Sequence, residues 1–288
     1  MKTSGATRRV AYDVLQAVHE KDAYSNLVLP AALDHLKVSA RDAGLATEIT
    51  YGALRRQGSL DAVIDACASR TDTMDSSVRD VLRVGAYQLL FMRIPSHAAV
   101  DETVSLAREV AGMGASKFVN AVLRKVSAQT WEQWLVELSE GKTAVEVLSL
   151  EFSYPAWVIR SLADAYKCDE VTIREVLAAG NDPAPVSLVA KPGQASVEEL
   201  LALPHVSPGA WSPLAATILR PSGPDENWST RPGDIDAVRD NRIGVQDEGS
   251  QLVALAVANI EITGPQSHWL DMCAGPGGKA AILAGLAS

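Results

Sequence analysis

The chain has 288 residues, enough for two ordinary domains, and 47% of them are hydrophobic while 21% are charged. This composition is typical of a folded globular protein and excludes an intrinsically disordered one. No run approaches the roughly 18 apolar residues that span a bilayer, and the N-terminus lacks the apolar segment of a secretion signal. We therefore expect a cytoplasmic protein with no membrane partner.

The net charge of -9 is unevenly distributed along the chain. Residues 1–144 contain 17 Lys+Arg and 17 Asp+Glu, whereas residues 145–288 contain 9 and 18. The neutral first half can still present a basic face to a nucleic acid. Cys67, Cys168 and Cys273 are far apart and form no CxxC pair, which argues against a disulfide framework and a zinc site. We expect reduced thiols and no metal.

Apolar residues recur at helical spacing throughout the first 127 residues, beginning with Arg8–Glu20. Ser39, with Asp42 three residues later, is typical of a helix N-cap. Gly, Pro, Ser and Asp stand at the joints, as in GSLD, RIPSH and GMGAS. The pattern predicts an all-α bundle over residues 1–140. The later stripes are Leu60, Val63, Ile64 and Cys67; Val78, Val81, Leu82 and Leu89; Val100, Val104, Ala107 and Ala111; and Phe118, Val119, Val122, Leu123 and Val126.

The pattern changes in residues 141–243, where prolines become frequent and short β-like runs appear between helical segments. These features predict a small α+β domain. Its predicted elements are helices at Ala156–Tyr166, Glu170–Ala179 and Val197–Leu203, and strands in PVSLVAK and ATILRP.

Residues 244–288 predict a helix at Gly249–Asn259, a turn at Thr263–Gln266, a strand at Trp269–Cys273, a glycine loop and a final helix. A strand, a glycine loop and a helix in this order form a natural cradle for an anion or a nucleotide. The pattern excludes a Walker A loop, because Cys273 stands at the position of its first glycine and Ala280 replaces the magnesium-binding Ser or Thr. It does match the looser dinucleotide pattern G-x-G-x-x-A.

Two residues of this loop have competing interpretations. Lys279 lies in the first helical turn, where a cation opposes the helix dipole, so it indicates a ligand carboxylate or phosphate; the alternative is an exposed helix lysine. Cys273 lies near a helix N-terminus, where a thiol can become a nucleophile. We favour a packing role for Cys273 at the end of a buried strand.

The motif DMCAGPGGKAA resembles the first cofactor motif of the Sun-type S-adenosylmethionine-dependent RNA cytosine methyltransferases, and VQDEGSQLVA resembles a motif upstream of it in that family. TEITYGALRRQGSLDAVID, VRDVLRVGAYQLLFMRIPSHAAVDETV and FVNAVLRKVS resemble a NusB-type RNA-binding domain. The combination is similar to the RsmB/Sun family of bacterial 16S ribosomal RNA (cytosine-C5) methyltransferases. It implies that residues 244–288 are the first strand, loop and helix of a Rossmann-like (class I) methyltransferase domain.

The resemblance also implies S-adenosylmethionine as the cofactor, with Lys279 facing its methionine carboxylate. Asp247, Glu248 and Ser250 match the upstream motif, although these residue types at a helix start are also ordinary capping residues. The implied cofactor-binding residues are Cys273, Ala274, Gly275, Pro276, Gly277, Gly278 and Lys279.

The reaction of the family uses one cysteine to attack carbon 6 of cytosine and a second to release the product. In the family these cysteines follow Pro and Thr, and neither Pro-Cys nor Thr-Cys occurs in this sequence. We therefore assign no catalytic residue here, expect the nucleophile beyond Ser288, and expect a C-terminally truncated chain that is inactive by itself. We also expect Ile282, Leu283 and Leu286 to lack a sheet to cover.

Basic residues in the first half predict a phosphate-binding face for 16S ribosomal RNA on a monomeric protein. The alternative is an ordinary solvated charged surface. A different function also stays open, a non-enzymatic NusB-like RNA-binding or antitermination-type module; nicotinamide-dependent redox chemistry fits the glycine loop but leaves the NusB-like half unexplained. The candidate RNA-binding residues are Arg55, Arg56, Arg79, Arg83, Arg124 and Lys125.

Overall fold

The computed structural model describes residues 3–36, 39–69, 71, 73–220, 231–261, 263 and 268–287. The chain divides into two compact units, Met1–Asp182 and Pro183–Ser288. The boundary at residue 182 falls inside the predicted middle segment 141–243. Its first two predicted helices therefore lie in the first unit, whereas its strands and the helix predicted at Val197–Leu203 lie in the second.

The described part of the first unit consists of helices. Their hydrophobic faces form a large core and two smaller clusters. The helices are α1 (Thr3–Lys21), α2 (Ser25–Leu36), α3 (Ala40–Arg55), α4 (Gln57–Cys67), α5 (Ser76–Phe91), α6 (Ser96–Val126), α7 (Trp131–Ser139), α8 (Ala144–Phe152), α9 (Ala156–Tyr166) and α10 (Glu170–Asn181).

Most of the predicted helical stripes are buried in this unit, although Ala111 at the end of one stripe is exposed. Leu60, Val63, Ile64 and Cys67 are all buried on α4, as their spacing predicts. The predicted N-cap is also present, since Ser39 Oγ accepts a hydrogen bond from the N–H of Asp42 at 3.2 Å. Local spacing was therefore sufficient to find both the buried face and the start of a helix.

The predicted joint in GMGAS is a kink within α6. Gly112 has φ 86° and ψ −179°, which are not helical values. A positive φ is inexpensive only for glycine, because the Cβ of any other residue crowds a backbone carbonyl oxygen there. The two stripes predicted on either side of this joint thus lie on the two arms of one kinked helix.

The C-terminal end of α8 explains why the first unit extends beyond residue 140. The last carbonyl groups of a helix have no partner within it. Here Ser59 Oγ donates to the Leu150 carbonyl at 2.6 Å, and Arg56 Nη1 donates to the Glu151 carbonyl at 2.7 Å. Helix α4 and the residue before it therefore cap α8, and this joins α8 to the preceding bundle.

The second unit contains a four-stranded sheet in the order β2-β3-β1-β4, and every pair is antiparallel. The central strand β1 is buried, with Val189 opposite Ala215 on one side and Gly244 on the other. The elements are β1 (Val186–Ala190), α11 (Val197–Leu201), β2 (Val206–Pro208), β3 (Ala215–Ile218), a 3-10 turn (Pro232–Asp234), α12 (Asp236–Arg239), β4 (Ile243–Val245), α13 (Glu248–Ala258) and α14 (Gly278–Ala287).

The predicted strand at Trp269–Cys273 is absent, and with it the first strand of a Rossmann-like sheet. Leu270 and Met272 are each 86% exposed. The apolar composition of this segment was misleading because a strand also needs a neighbour that pairs with it. The predicted turn at Thr263–Gln266 falls mostly outside the described residues.

The final helix α14 has a sheet to cover, so the expectation for Ile282 and Leu283 was wrong. Ile282 is fully buried in a cluster with Val189 of β1 and Ala254 of α13, and Leu283 packs against that cluster. Alternate residues of a strand point to opposite faces of the sheet, so β1 contributes side chains to a cluster on each face. Its Leu188 joins a second cluster on the side of α11 and α12.

Candidate cofactor loop and nucleic-acid interface

The glycine loop leads directly into α14 in the second unit. Gly277 has φ 105°, a backbone conformation that favours glycine. A Cβ added at Gly275 or at Gly277 would meet no atom within 4 Å. The packing of the protein itself therefore leaves open space beside these two residues, and a ligand can approach their backbone closely.

Helix α14 begins at Gly278, and the Ala281 N–H donates to the Gly277 carbonyl at 2.8 Å. The N–H groups before Ala281 belong to the first turn, where no acceptor is available within a helix and the dipole favours a negative charge. Lys279 lies in this first turn, as its position in the sequence predicts, and its side chain is exposed. Its pairing with a ligand anion stays a prediction.

Cys273 is exposed, and its N–H donates to Asp271 Oδ1 at 2.9 Å. The expectation that Cys273 packs at the end of a buried strand was wrong, because this segment forms no strand and its residues face solvent. A structural role as a small hydrophobic residue is thereby excluded.

The segment Gln246–Gln251, called here the 246–251 motif, connects β4, β1 and α13. The Gln246 N–H donates to the Ser187 carbonyl at 3.1 Å. Asp247 caps α13, since its Oδ1 accepts from the Gly249 N–H at 2.9 Å. The Gln251 amide donates to the Gln246 carbonyl at 2.9 Å. Capping thus accounts for Asp247 but not for the whole motif.

Glu248 does not cap its own helix. Its buried carboxylate accepts hydrogen bonds from three consecutive backbone N–H groups, those of Ala210 at 3.2 Å, Trp211 at 2.6 Å and Ser212 at 2.8 Å. The hydrogen bond from Ser212, aided by those from Trp211 and Ala210, lowers the pKa of Glu248 against the opposing effect of burial. Glu248 is therefore an ionised anchor for the segment Gly209–Ser212, the 209–212 loop.

Further contacts fix the 209–212 loop. The Gly209 N–H donates to the Ala215 carbonyl at 2.9 Å, and Ser212 Oγ donates to Gln251 Oε1 at 2.7 Å. A Cβ at Gly209 would lie 2.4 Å from the Ala215 Cβ and 2.8 Å from Glu248 Oε2, so only glycine fits. The side chain of Trp211 nevertheless remains 78% exposed.

The same motif also touches the glycine loop. A Cβ at Gly278 would lie 3.1 Å from Gln246 Oε1, so the Gln246 side chain packs against the start of α14. Its Nε2 is buried and has no hydrogen-bond partner among the described residues. A buried donor without an acceptor costs free energy, and an acceptor on a bound ligand would remove that cost.

In the first unit, Arg79 and Arg83 share one face of α5 as their spacing predicts, but both bind carboxylates. Arg83 makes a bidentate pair with Asp61, at 2.9 and 2.7 Å, and donates to Asp80 at 2.7 Å. Arg79 donates to Asp65 at 2.9 Å. The structure therefore gives these two arginines intramolecular partners, which weakens the argument that they bind phosphate.

The remaining candidates differ in their surroundings. Arg56, besides its bond to α8, lies over the Phe91 ring at 5.1 Å from the centroid, and burial lowers its pKa. Lys125 Nζ donates to the Cys67 carbonyl at 2.9 Å. Arg55 is half-buried, while the side chain of Arg124 is exposed. The six residues therefore do not form one uniform basic face.

Residues 5–128 match the NusB family. This matched segment lies within the first unit and is called here the NusB domain. Over 282 residues the chain is 41% identical to a Mycobacterium tuberculosis protein named "Putative methyltransferase Rv1407", a match that covers 97% of this chain and 60% of that protein. The chain therefore spans about 60% of the length of this relative.

The chain is also homologous to proteins named ribosomal RNA small subunit methyltransferase B. That of Escherichia coli O6:K15:H31 is 30% identical over 97% of this chain and 61% of its own length. That of Shewanella oneidensis is 29% identical over 98% of this chain and 60% of its own length. The crystal structure of PH0851 has the same fold, with a TM-score of 0.74 at 20% identity, over 99% of this chain and 61% of that one.

A buried polar network in the NusB domain was missed at the level of sequence. Asp80 is fully buried and accepts hydrogen bonds from Gln16 and Arg83, and it lies 2.8 Å from His19 Nδ1. The hydrogen bond to Asp80 raises the pKa of His19. An aspartate three residues before an arginine on an apolar face was the available indication, but the partners on α1 lie over 60 residues away.

The described residues show neither a metal site nor a membrane-spanning helix. Among the residues with a described placement, no group of three or more His, Cys, Asp or Glu could hold a metal ion. Within the same residues, no helix is long and apolar enough to cross a bilayer. The candidate site therefore consists of the glycine loop, the 246–251 motif and the 209–212 loop, with the NusB domain as a separate candidate RNA-binding region.

Proposed function

We propose that this chain supplies the RNA-binding domain and the first cofactor segment of an enzyme that methylates carbon 5 of a cytosine in 16S ribosomal RNA, with S-adenosylmethionine as the methyl donor. The names of the homologous proteins and the NusB domain support an RNA methyltransferase. The observation that carries the proposal is the glycine loop, which is open beside Gly275 and Gly277 and precedes a helix N-terminus. This placement suits a ligand that carries a carboxylate.

The residues present fit part of an S-adenosylmethionine site. The space beside two glycines and the unpaired Nε2 of Gln246 both favour a ligand at this position. Bound there, the cofactor supplies an electrophilic methyl group, and Lys279 would pair with its carboxylate. The proposed cofactor-binding residues are Cys273, Ala274, Gly275, Pro276, Gly277, Gly278 and Lys279.

No cysteine of this chain is assigned as the nucleophile of the reaction. Carbon 5 of a pyrimidine becomes reactive only after a nucleophile adds to carbon 6, and the nucleophile must be a thiolate that reaches the base. Cys67 is buried in the NusB domain, and burial raises its pKa to about 11. Cys273 lies in the proposed cofactor segment. Cys168 is partly buried against a hydrophobic cluster of the first unit. We therefore expect no methyl transfer by the 288-residue chain alone.

Transfer of labelled methyl groups to 16S ribosomal RNA tests the activity. The enzyme is the protein produced from its own chromosomal gene, and the RNA is digested to nucleosides after the reaction. Label in 5-methylcytidine is the expected result. Label in any other nucleoside, or no label, would contradict the proposal.

Equilibrium dialysis of the same protein with labelled S-adenosylmethionine tests the cofactor segment. We expect Gly277→Ala to weaken binding at least about fivefold, because the new side chain strains a backbone at φ 105° and fills the open space. Gly141→Ala is the matched control, since Gly141 also has a positive φ and open space but lies in the first unit. Equal losses in both variants would remove the glycine loop from the site.

The NusB domain favours a second candidate, a non-enzymatic RNA-binding or antitermination-type module. Such a module gives no reason for the open glycine loop. In either case Arg55, Arg124 and Lys125 are the better candidates for phosphate contacts, since Arg79 and Arg83 bind carboxylates. A monomer acting on ribosomal RNA in the cytoplasm is the assembly we propose. RNA binding that does not weaken with rising salt would contradict these phosphate contacts.

A further inference from the structure

Trp211 combines an exposed side chain with a backbone that is fixed by hydrogen bonds. Its side chain is 78% exposed, whereas its backbone N–H is held by a hydrogen bond to the carboxylate of Glu248. Exposing a large aromatic side chain forgoes the hydrophobic stabilisation that its burial would give. A rigidly held and solvent-facing indole is typical of a surface that buries the ring against a partner.

The contacts beneath the loop show that the ring is held in place before any partner arrives. Glu248 binds the N–H groups on both sides of Trp211 as well as its own. Hydrogen bonds to an ionised acceptor are about twice as strong as those between neutral groups. The close approach of Gly209 to Ala215 leaves no room for the loop to shift inward. Little conformational entropy is then lost when a partner binds the ring.

The same contacts indicate which kind of chemical group can bind at this loop. Three consecutive N–H groups would otherwise form an anion site, but the carboxylate of Glu248 already occupies them. Its buried negative charge also disfavours a phosphate at this loop. The exposed feature of Trp211 is therefore its aromatic face, which suits a planar and uncharged group.

The position of the loop suits a nucleobase near the cofactor segment. Glu248 holds the 209–212 loop, and Gln246, two residues earlier, packs against Gly278 of the glycine loop. Two residues span at most about 7 Å of chain. One short motif therefore supports both the exposed tryptophan and the proposed cofactor loop.

We propose that Trp211 stacks on an unpaired base of single-stranded RNA, next to the cofactor segment. This inference rests on the proposed function and adds a substrate contact to it. Every base has an aromatic face, so the contact tolerates sequence and requires that the base be unstacked from its neighbours. Trp211 is a binding residue in this scheme and takes no part in bond making.

The test measures the affinity of the whole chain for a labelled single-stranded RNA of mixed sequence, about 12 nucleotides long, by fluorescence polarisation. We expect Trp211→Ala to weaken binding about tenfold, since the base loses the aromatic face on which it stacks. Trp211→Phe should stay within about threefold of the wild type, because it keeps an aromatic face. Trp211→Leu should resemble Trp211→Ala. The salt dependence should not change, because no phosphate contact is lost.

Trp157→Ala is the matched control, since Trp157 is comparably exposed but lies on α9 of the first unit. Equal weakening by Trp157→Ala and Trp211→Ala overturns the assignment of stacking to Trp211. Undiminished affinity of Trp211→Leu also overturns it and indicates a general apolar contact. If the wild type binds RNA and Trp211→Ala binds equally well, only this inference fails. If the wild type binds no RNA, the proposed function fails as well.

Discussion

Two loops of the second unit contact the 246–251 motif. The protein's own side chains bind the N–H groups of the 209–212 loop but leave open space beside the glycine loop. The 209–212 loop has its N–H groups bound by the carboxylate of Glu248. The glycine loop has open space beside Gly275 and Gly277, and the buried side-chain Nε2 of Gln246 next to it lacks a partner among the described residues. The difference separates a loop that the fold uses for its own stability from a loop suited to a ligand.

The largest loss of stability is expected in the 209–212 loop, whose N–H groups are bound by Glu248. Glu248→Ala leaves three N–H groups without their acceptor, the buried N–H of Ser212 among them, so we expect the free energy of unfolding to fall by about 3 kcal/mol. Urea denaturation monitored by circular dichroism measures the change. Glu198→Ala is the control, because Glu198 is an exposed glutamate in the first turn of α11. A loss below about 1 kcal/mol for Glu248→Ala would show that the 209–212 loop does not depend on the carboxylate.

Replacing one glycine by alanine in each loop tests the difference in packing between the 209–212 loop and the glycine loop. Gly209→Ala places a Cβ 2.4 Å from the Ala215 Cβ, and we expect a loss of about 2 kcal/mol. Gly275→Ala meets no atom within 4 Å, and we expect a stability change within about 0.5 kcal/mol together with weaker binding of S-adenosylmethionine. Thermal unfolding and equilibrium dialysis measure the two outcomes. Equal destabilisation by both substitutions would contradict the distinction between the loops.

Acid should weaken only the loop that depends on a carboxylate. The pKa of Glu248 is lowered in the folded state, so its stabilisation is present above the unfolded pKa of about 4.3 and is lost as the pH falls through the folded pKa. The difference in unfolding free energy between the wild type and Glu248→Gln should therefore shrink in acid. Denaturation at a series of pH values below 5 measures it, and a constant difference would argue against an ionised Glu248.

The smallest effect on stability is expected at Lys279. Its charge opposes the helix dipole, so Lys279→Met should stabilise the chain by about 0.3 kcal/mol or leave it unchanged. Binding of S-adenosylmethionine should weaken because the proposed partner of its carboxylate is removed. Lys117→Met, in a helix of the NusB domain, controls for the loss of a surface charge. Unchanged cofactor binding in Lys279→Met would return Lys279 to an ordinary exposed lysine.

The helices could be predicted from the sequence because their buried faces and caps depend on residues that are close together in the chain. The α4 stripe follows from residues within one segment, and the Ser39 cap from residues three apart. The glycine loop before α14 was found for the same reason. The interpretation of Lys279 needed only the direction of the helix dipole.

The remaining features depend on residues far apart in the sequence. Glu248 binds a loop 36 to 38 residues earlier, so its spacing within the motif indicated a cap instead. The periodicity of α5 placed Arg83 on a face with Arg79, but it could not show that Asp61 lies opposite. The segment Trp269–Cys273 has the composition of a strand, yet only a paired neighbour makes it one.

The close contact at Gly285 has a consequence for the glycine loop at the other end of α14. A Cβ at Gly285 would lie 2.1 Å from the Pro192 carbonyl oxygen, so the helix rests directly on another stretch of main chain there. Gly278 is seven residues earlier, about 10 Å along the helix axis. A side chain at Gly285 would push α14 away from Pro192. We therefore expect a substitution at Gly285 to displace the glycine loop without a change in any residue that forms it.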